Sequence, residues 1–252
     1  MAAISRAPRT ALQASVLTAS ALAIAALVAS CGPVPPPPPA ALPPTDVPYV
    51  KPTINIEGVD TSDGFTPQQH AAVRLRVTTC TGWTNGSGFI LDDSHIITNK
   101  HVIANATEIE VTTYDGRDYK AISSQVAPVA DLGIVTLEPV FTEWATLADE
   151  KLEPRDPVFS VGFPDAQAMV VSDGYFLTTT PDELGETGEF VYEFKLFSKQ
   201  GSSGSAIYNE AGEVASILHG GDEQGWSLGW PVSWLHRHLN DPDTWVPNTP
   251  SC

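Results

Sequence analysis

The chain has 252 residues, 42% of them hydrophobic and 8% aromatic, enough for one domain of about 180 to 200 residues once the N-terminal segments are set aside. Thirty acidic side chains stand against 13 basic ones, for a formal charge of -17. With no basic run, the electrostatic footprint of a nucleic-acid binder is missing, and that class is excluded.

Residues 1–30 read as an export signal: Arg6 and Arg9 supply a positive start, and Ala11 to Val28 is apolar and free of charge. The end of this segment, Leu27-Val28-Ala29-Ser30-Cys31, resembles the lipobox of bacterial lipoproteins. That resemblance implies a lipid on Cys31, a membrane tether and a place in the cell envelope, on the periplasmic side or at the cell surface. An ordinary secretory signal or an uncleaved anchor are the alternatives. The chain has three cysteines, so assigning Cys31 to a lipid leaves Cys80 and Cys252 to pair in an oxidising compartment.

Residues 31–61 are dominated by proline, with Pro33, Pro35 to Pro39, Pro43, Pro44, Pro48 and Pro52. Such a stretch favours polyproline II, and thirty residues of it reach about 90 Å. The folded domain is expected over 62–252, opening with a short helix at Thr66-Pro67-Gln68-Gln69, a cap residue followed by proline in the first turn. Alternating apolar residues then predict strands at 72–79, 88–91, 95–98, 108–113, 118–126 and 132–137. A second set follows at 157–162, 168–179, 189–197, 205–208, 213–219 and 226–232, and a helix at 232–239. Many short strands with little helix predict an all-β barrel or sandwich fold.

Three stretches carry chemistry. In Gly201-Ser202-Ser203-Gly204-Ser205, a serine between glycines sits where a sharp turn exposes both its hydroxyl and the neighbouring N–H groups, which makes Ser203 a candidate nucleophile. His101 follows the hydrophobic strand Ile96-Ile97-Thr98, where the chain turns and can project an imidazole. Asp131 heads the apolar run Leu132-Gly133-Ile134-Val135, at the edge of buried territory where an ionised carboxylate needs a partner. The order His, Asp, Ser differs from those of subtilisins and α/β-hydrolases. The nucleophile elbow of the latter has the form G-x-S-x-G, and here Ser205 occupies its last position.

These stretches, with Gly86 to Leu91, Thr98 to Val102 and Val161-Gly162-Phe163-Pro164, resemble the trypsin-like (chymotrypsin-fold) serine peptidases, of the bacterial kind that includes HtrA and V8-type glutamyl endopeptidases. The resemblance implies two antiparallel six-stranded β-barrels with a C-terminal helix and an active site in the cleft between the barrels. It implies a serine endopeptidase acting on proteins or peptides through His101, Asp131 and Ser203, with the N–H groups of Gly201 and Ser203 as oxyanion hole and no metal or cofactor. Position 202 is serine, not the aspartate that pairs with a new N-terminus in animal members, so a domain folded in its competent form is expected.

By offset from Ser203, the substrate pocket is expected around Phe197, Ser198, Leu218, His219 and Gly220, with no aspartate to favour Lys or Arg. V8-type enzymes bind glutamate with a histidine on the strand that holds His219, but here His219 comes one residue late and Leu218 takes its place. Such a slip turns the side chain to the other face unless a bulge restores it. Only Asn240 to Cys252 follow the last helix, which leaves no room for the PDZ domain of HtrA proteases, so a monomer is expected. The alternative from another class is a non-catalytic surface lipoprotein that uses the peptidase fold as a protein-binding module.

Overall fold

The computed structural model describes residues 63–182, 184 and 188–252. The expected signal segment, Cys31 and nearly all of the Pro-rich stretch lie outside these residues. Folded structure opens with helix α1, Pro67–His70, closed by a capping box in which Thr66 and Gln69 exchange side-chain and backbone hydrogen bonds.

The first half contains β1 Ala72–Thr79, β2 Gly82–Ile90, β3 His95–Thr98, helix α2 Lys100–Ile103, β4 Ala106–Thr113, β5 Asp118–Lys120, β6 Ser123–Val126 and β7 Gly133–Thr136. The second contains β8 Pro157–Gly162, β9 Val170–Pro181, β10 Phe190–Leu196, β11 Ala206–Tyr208, β12 Val214–Asp222, β13 Trp226–Pro231 and helix α3 Val232–Asn240. A last strand, β14 Val246–Pro247, returns to pair with β6.

Strand alternation dictates the layers. In β1, Val73, Leu75 and Val77 are fully buried while Arg74 and Arg76 point away from the core. Opposite them, Gly86 and Gly88 of β2 pair with Leu75 and Val73. A Cβ on Gly86 would lie 2.6 Å from a Val102 methyl, so the glycine makes room for the helix that carries His101.

The second half is a closed barrel in the order β10-β13-β12-β11-β8-β9. The first is an eight-stranded antiparallel sheet in the order β14-β6-β7-β3-β2-β1-β4-β5. It exceeds the six strands expected because β14 joins its edge and because the run 118–126 breaks at Ala121 and Ile122 into β5 and β6. A shared core joins the halves, with Phe89, Ile97 and Leu132 packed with Phe159, Val161, Tyr208 and Leu235. The architecture is chymotrypsin-like. Cys80, in the turn after β1, is disulfide-bonded to Cys252, with Cα atoms 5.6 Å apart.

Candidate active site

His101 is placed by the short helix α2, whose Val102 and Ile103 are buried and leave the imidazole half-exposed. Asp131 stands just before β7, locked by the buried Leu132. Its carboxylate meets His101 twice: Oδ1 accepts from the His101 backbone N–H at 2.8 Å, and Oδ2 accepts from Nδ1 at 2.6 Å. The Asn99 side chain holds the Asp131 carbonyl at 2.9 Å. Two contacts to one residue fix both the position and the tilt of the ring, and an acceptor-only carboxylate assigns the proton to Nδ1.

A second histidine completes the cluster. His219 Nδ1 lies 2.7 Å from the same Asp131 Oδ2. Burial alone would push Asp131 up, but hydrogen bonds from His101 and His219, followed by their charges, outweigh it and hold the carboxyl far below its usual value of 3.8. One ring nitrogen of each histidine and one Asp131 carboxylate oxygen lie within 4.8 Å of one another, atoms of the kind that bind metals. Contacts of 2.6 and 2.7 Å are hydrogen-bond lengths, however, and the group is complete as two N–H donors on one carboxylate.

Ser203 lies on a loop anchored from the opposite sheet. Ser87, fully buried in β2, donates its hydroxyl to the Gly201 carbonyl at 2.8 Å and accepts from the Phe163 N–H at 2.9 Å. The Ser87 backbone N–H reaches the Ser203 carbonyl at 2.8 Å, and its carbonyl accepts from the Thr98 hydroxyl at 2.7 Å. Gly201 and Gly204 sit at φ +88° and +90°, where side chains are strained. A Cβ on Gly204 would in addition overlap the Ser87 carbonyl and the Thr98 hydroxyl. Ser202, buried, is tied within the loop to Lys199 by its own N–H and by its hydroxyl. The N–H groups of Gly201 and Ser203 meet no acceptor among the described residues. The Ser203 hydroxyl donates to the His219 carbonyl at 3.3 Å.

The expected pocket residues divide. Ser198 is buried and takes a hydrogen bond from Ser227 at 2.9 Å, and a Cβ on Gly221 would collide with both hydroxyls. Phe197 stands exposed at the rim, with the Lys199 ammonium over its ring. Leu218 corrects its expected place: it is buried in the second barrel's core with Phe194 and Ile207, because strand alternation turns it inward. Gly220 is covered by Leu184, whose terminal carbon lies 2.8 Å from where a Cβ would stand. At His219 the pairing of β12 with β13 shifts register between Leu218 and Gly220. At this bulge the imidazole is committed to Asp131, which removes the support for a glutamate-binding histidine.

Ser87, Gly221 and the aspartate-facing ring of His219 were not singled out by sequence reasoning. For Ser87 the available signal was its place between two glycines on a strand, which needs close approach on both sides.

The sequence profile described as "Trypsin-like peptidase domain" matches residues 86–217. Serine endoprotease DegS of Escherichia coli (strain K12) is 30% identical over 158 residues, covering 61% of this chain and 42% of the relative. A probable periplasmic serine endoprotease, DegP-like, of Chlamydia trachomatis is 26% identical over 159 residues, covering 60% and 29% respectively. The chain thus spans less than half the length of these relatives. The Rv3671c protease of M. tuberculosis in its active form superposes with a TM-score of 0.63 at 19% identity, covering 69% of this chain and 81% of that one, a likeness of fold. With this match over more than half the chain, on the residues that hold His101, Asp131 and Ser203, the chain belongs to the trypsin-like peptidase domain family.

Proposed function

We propose that the domain is an exported serine endopeptidase in which Ser203 is the nucleophile, His101 the general base and acid, and Asp131 the group that orients His101. The observation that carries this reading is the double contact of Asp131 with His101, beside a glycine-flanked serine whose neighbouring N–H groups lack protein acceptors among the described residues.

In the reaction the Ser203 hydroxyl gives up its acceptor, the His219 carbonyl, for His101 Nε2. Oγ then attacks the scissile carbonyl carbon while Nε2 takes its proton. The carbonyl oxygen becomes an oxyanion facing the N–H groups of Gly201 and Ser203, each such donor being worth about 3 to 4 kcal/mol. Asp131 stabilises the imidazolium, which passes its proton to the departing amine as the C–N bond breaks. Water, deprotonated by His101, then releases the acyl group and restores Ser203.

Residues 1–30 act as the signal, a lipid on Cys31 tethers the product to the envelope membrane, and 31–61 form the stalk that carries a monomeric domain over 62–252. Support comes from the lipobox-like residues, the Cys80–Cys252 disulfide and the "periplasmic" in the name of one relative. Substrates are proteins or peptides, as for endoproteases generally. With Ser198 and Ser227 bonded across Gly221, the pocket favours small side chains over long charged ones.

A fluorophosphonate probe tests the reading. Labelling at neutral pH that disappears in Ser203→Ala is expected. Folded wild-type protein that takes no label points instead to a binding module built on the same fold.

A further inference from the structure

His219 makes contacts that the triad does not account for. Its side chain is only 9% exposed and lies against four groups: His101, with ring centroids 5.9 Å apart, Asp131, Asp182 and the Trp230 ring at 6.1 Å. Nδ1 is 2.7 Å from Asp131 Oδ2, and Nε2, buried, has no hydrogen-bond partner among the described residues. Asp182 Oδ1 lies 3.5 Å from Nε2, on a side chain only 1% exposed. At the same time the His219 carbonyl receives the Ser203 hydroxyl. One residue therefore touches the carboxylate with its ring and the nucleophile with its backbone, and the β12 bulge makes both contacts possible.

Asp182 is itself held in place. It follows β9 directly, its N–H donates to the Glu189 carbonyl at 2.7 Å, and its Oδ1 accepts from the Leu184 N–H at 3.1 Å. Leu184 in turn lies on Gly220, next to His219. Asp182 and Leu184 thus stand beside the second histidine and its neighbour Gly220.

We propose that His219 is a positioning residue of the catalytic centre, holding Asp131 Oδ2 beside the donor from His101 and itself steadied by Asp182. The inference rests on the peptidase reading above for its effect on rate, though not for its geometry. Physically, the two donors that Asp131 takes from His101 belong to one residue, so carboxylate and ring can still shift together. A second donor on the same oxygen, in a site with little water, removes that freedom. Asp131 then presents one orientation to His101, and the reacting nitrogen stays aligned with Ser203.

The test compares three variants of the folded domain. His219→Asn keeps an N–H donor near the place of Nδ1, His219→Leu keeps the bulk without the donor, and Asp182→Asn removes the charge behind the ring. Saturating fluorophosphonate kinetics separate probe binding from the chemical step. His219→Leu is expected to slow the chemical step about tenfold or more with probe binding within about twofold, whereas His219→Asn stays within about threefold of wild type. Asp182→Asn is expected to fall between them. In ¹⁵N-histidine-labelled wild-type protein, two strongly downfield Nδ1–H proton resonances are expected, one from each ring, both lost in Asp131→Asn and one lost in His219→Asn.

His219→Leu labelling at the wild-type rate, or His219→Asn as slow as His219→Leu, would overturn the proposal. Should wild-type protein take no label, the peptidase reading fails by itself, and the His219 resonance decides the geometry: its absence overturns the proposal. Should His219→Leu not fold, His219→Asn decides the rate effect. A reduced rate in His219→Asn with the His101 resonance unmoved would count against the proposal, and a near-wild-type rate with that resonance retained would count for it.

Discussion

The hydroxyl of Ser87 donates to the carbonyl of Gly201 at 2.8 Å and so ties a strand of the first sheet to the loop that carries the nucleophile. Because the same residue also bonds the Ser203 carbonyl and Phe163 N–H, the Gly201–Ser202 peptide has its orientation set from outside the loop. Together with the hold on the Ser203 carbonyl, this fixes the backbone on which the Gly201 and Ser203 N–H groups assigned to the oxyanion stand.

Ser87→Ala removes the hydroxyl and leaves a buried carbonyl and a buried N–H without partners. A loss of about 1 to 3 kcal/mol in stability is expected, measured by urea denaturation. The fluorophosphonate labelling rate should fall about tenfold or more at a temperature where the variant is fully folded. Equal losses of label and of folded protein would mean that Ser87 serves the fold alone.

Two glycines of similar backbone conformation separate strain from overlap. Gly116, at φ +81°, has open space where a Cβ would go, whereas Gly204, at φ +90°, would drive one into Ser87 and Thr98. Gly116→Ala should cost about 1 to 2 kcal/mol, the left-handed backbone penalty alone. Gly204→Ala should cost more than about 3 kcal/mol and abolish labelling. The comparison is made by denaturant midpoint at constant slope.

Asp131 is ionised far below the usual 3.8 because two histidines hold it against the upward push of burial. A depressed folded-state value adds stability that is fully present above 3.8 and is lost as pH falls below that toward the folded-state value. The stability gap between wild type and Asp131→Asn should therefore stay level from neutral pH down to about 4 and narrow below it. Urea titrations across that range measure it. At neutral pH the same variant should lose about 10³- to 10⁴-fold in kcat, since the asparagine amide no longer selects the correct His101 tautomer.

The Cys80–Cys252 bond spans 172 positions of sequence. Cys80→Ala with Cys252→Ala should lower unfolding free energy by about 2 to 5 kcal/mol, as release of a long loop in the unfolded chain requires. The three site residues lie away from this bond in sequence, so the labelling rate of the folded variant should be unchanged. A reductant should reproduce the variant's melting point.

Much of the fold was legible because strand alternation is a local property: Val73, Leu75 and Val77 announce β1 by themselves. Helix α1 was likewise written in Thr66 and Pro67. The order of His101, Asp131 and Ser203 pointed to one site, in which Asp131 bonds His101 and Ser203 bonds the His219 carbonyl. The surroundings of His219 were not legible. Counting residues from Ser203 assumes an unbroken strand, and one bulge between Leu218 and Gly220 reverses which way a side chain points. Leu218 was misplaced by the same count, since its burial depends on which face of β12 meets the barrel core. Ser87 escaped notice because a buried hub of hydrogen bonds is defined by three distant segments, and the glycines on either side of it signal close approach without naming what approaches.

The short strand β14 joins the edge of β6 only after the second barrel has been traversed. Val246 and Pro247 therefore act as a cover for β6: without them that strand would present unpaired backbone N–H and C=O groups at the rim of the first sheet, an edge on which a strand of another molecule could add.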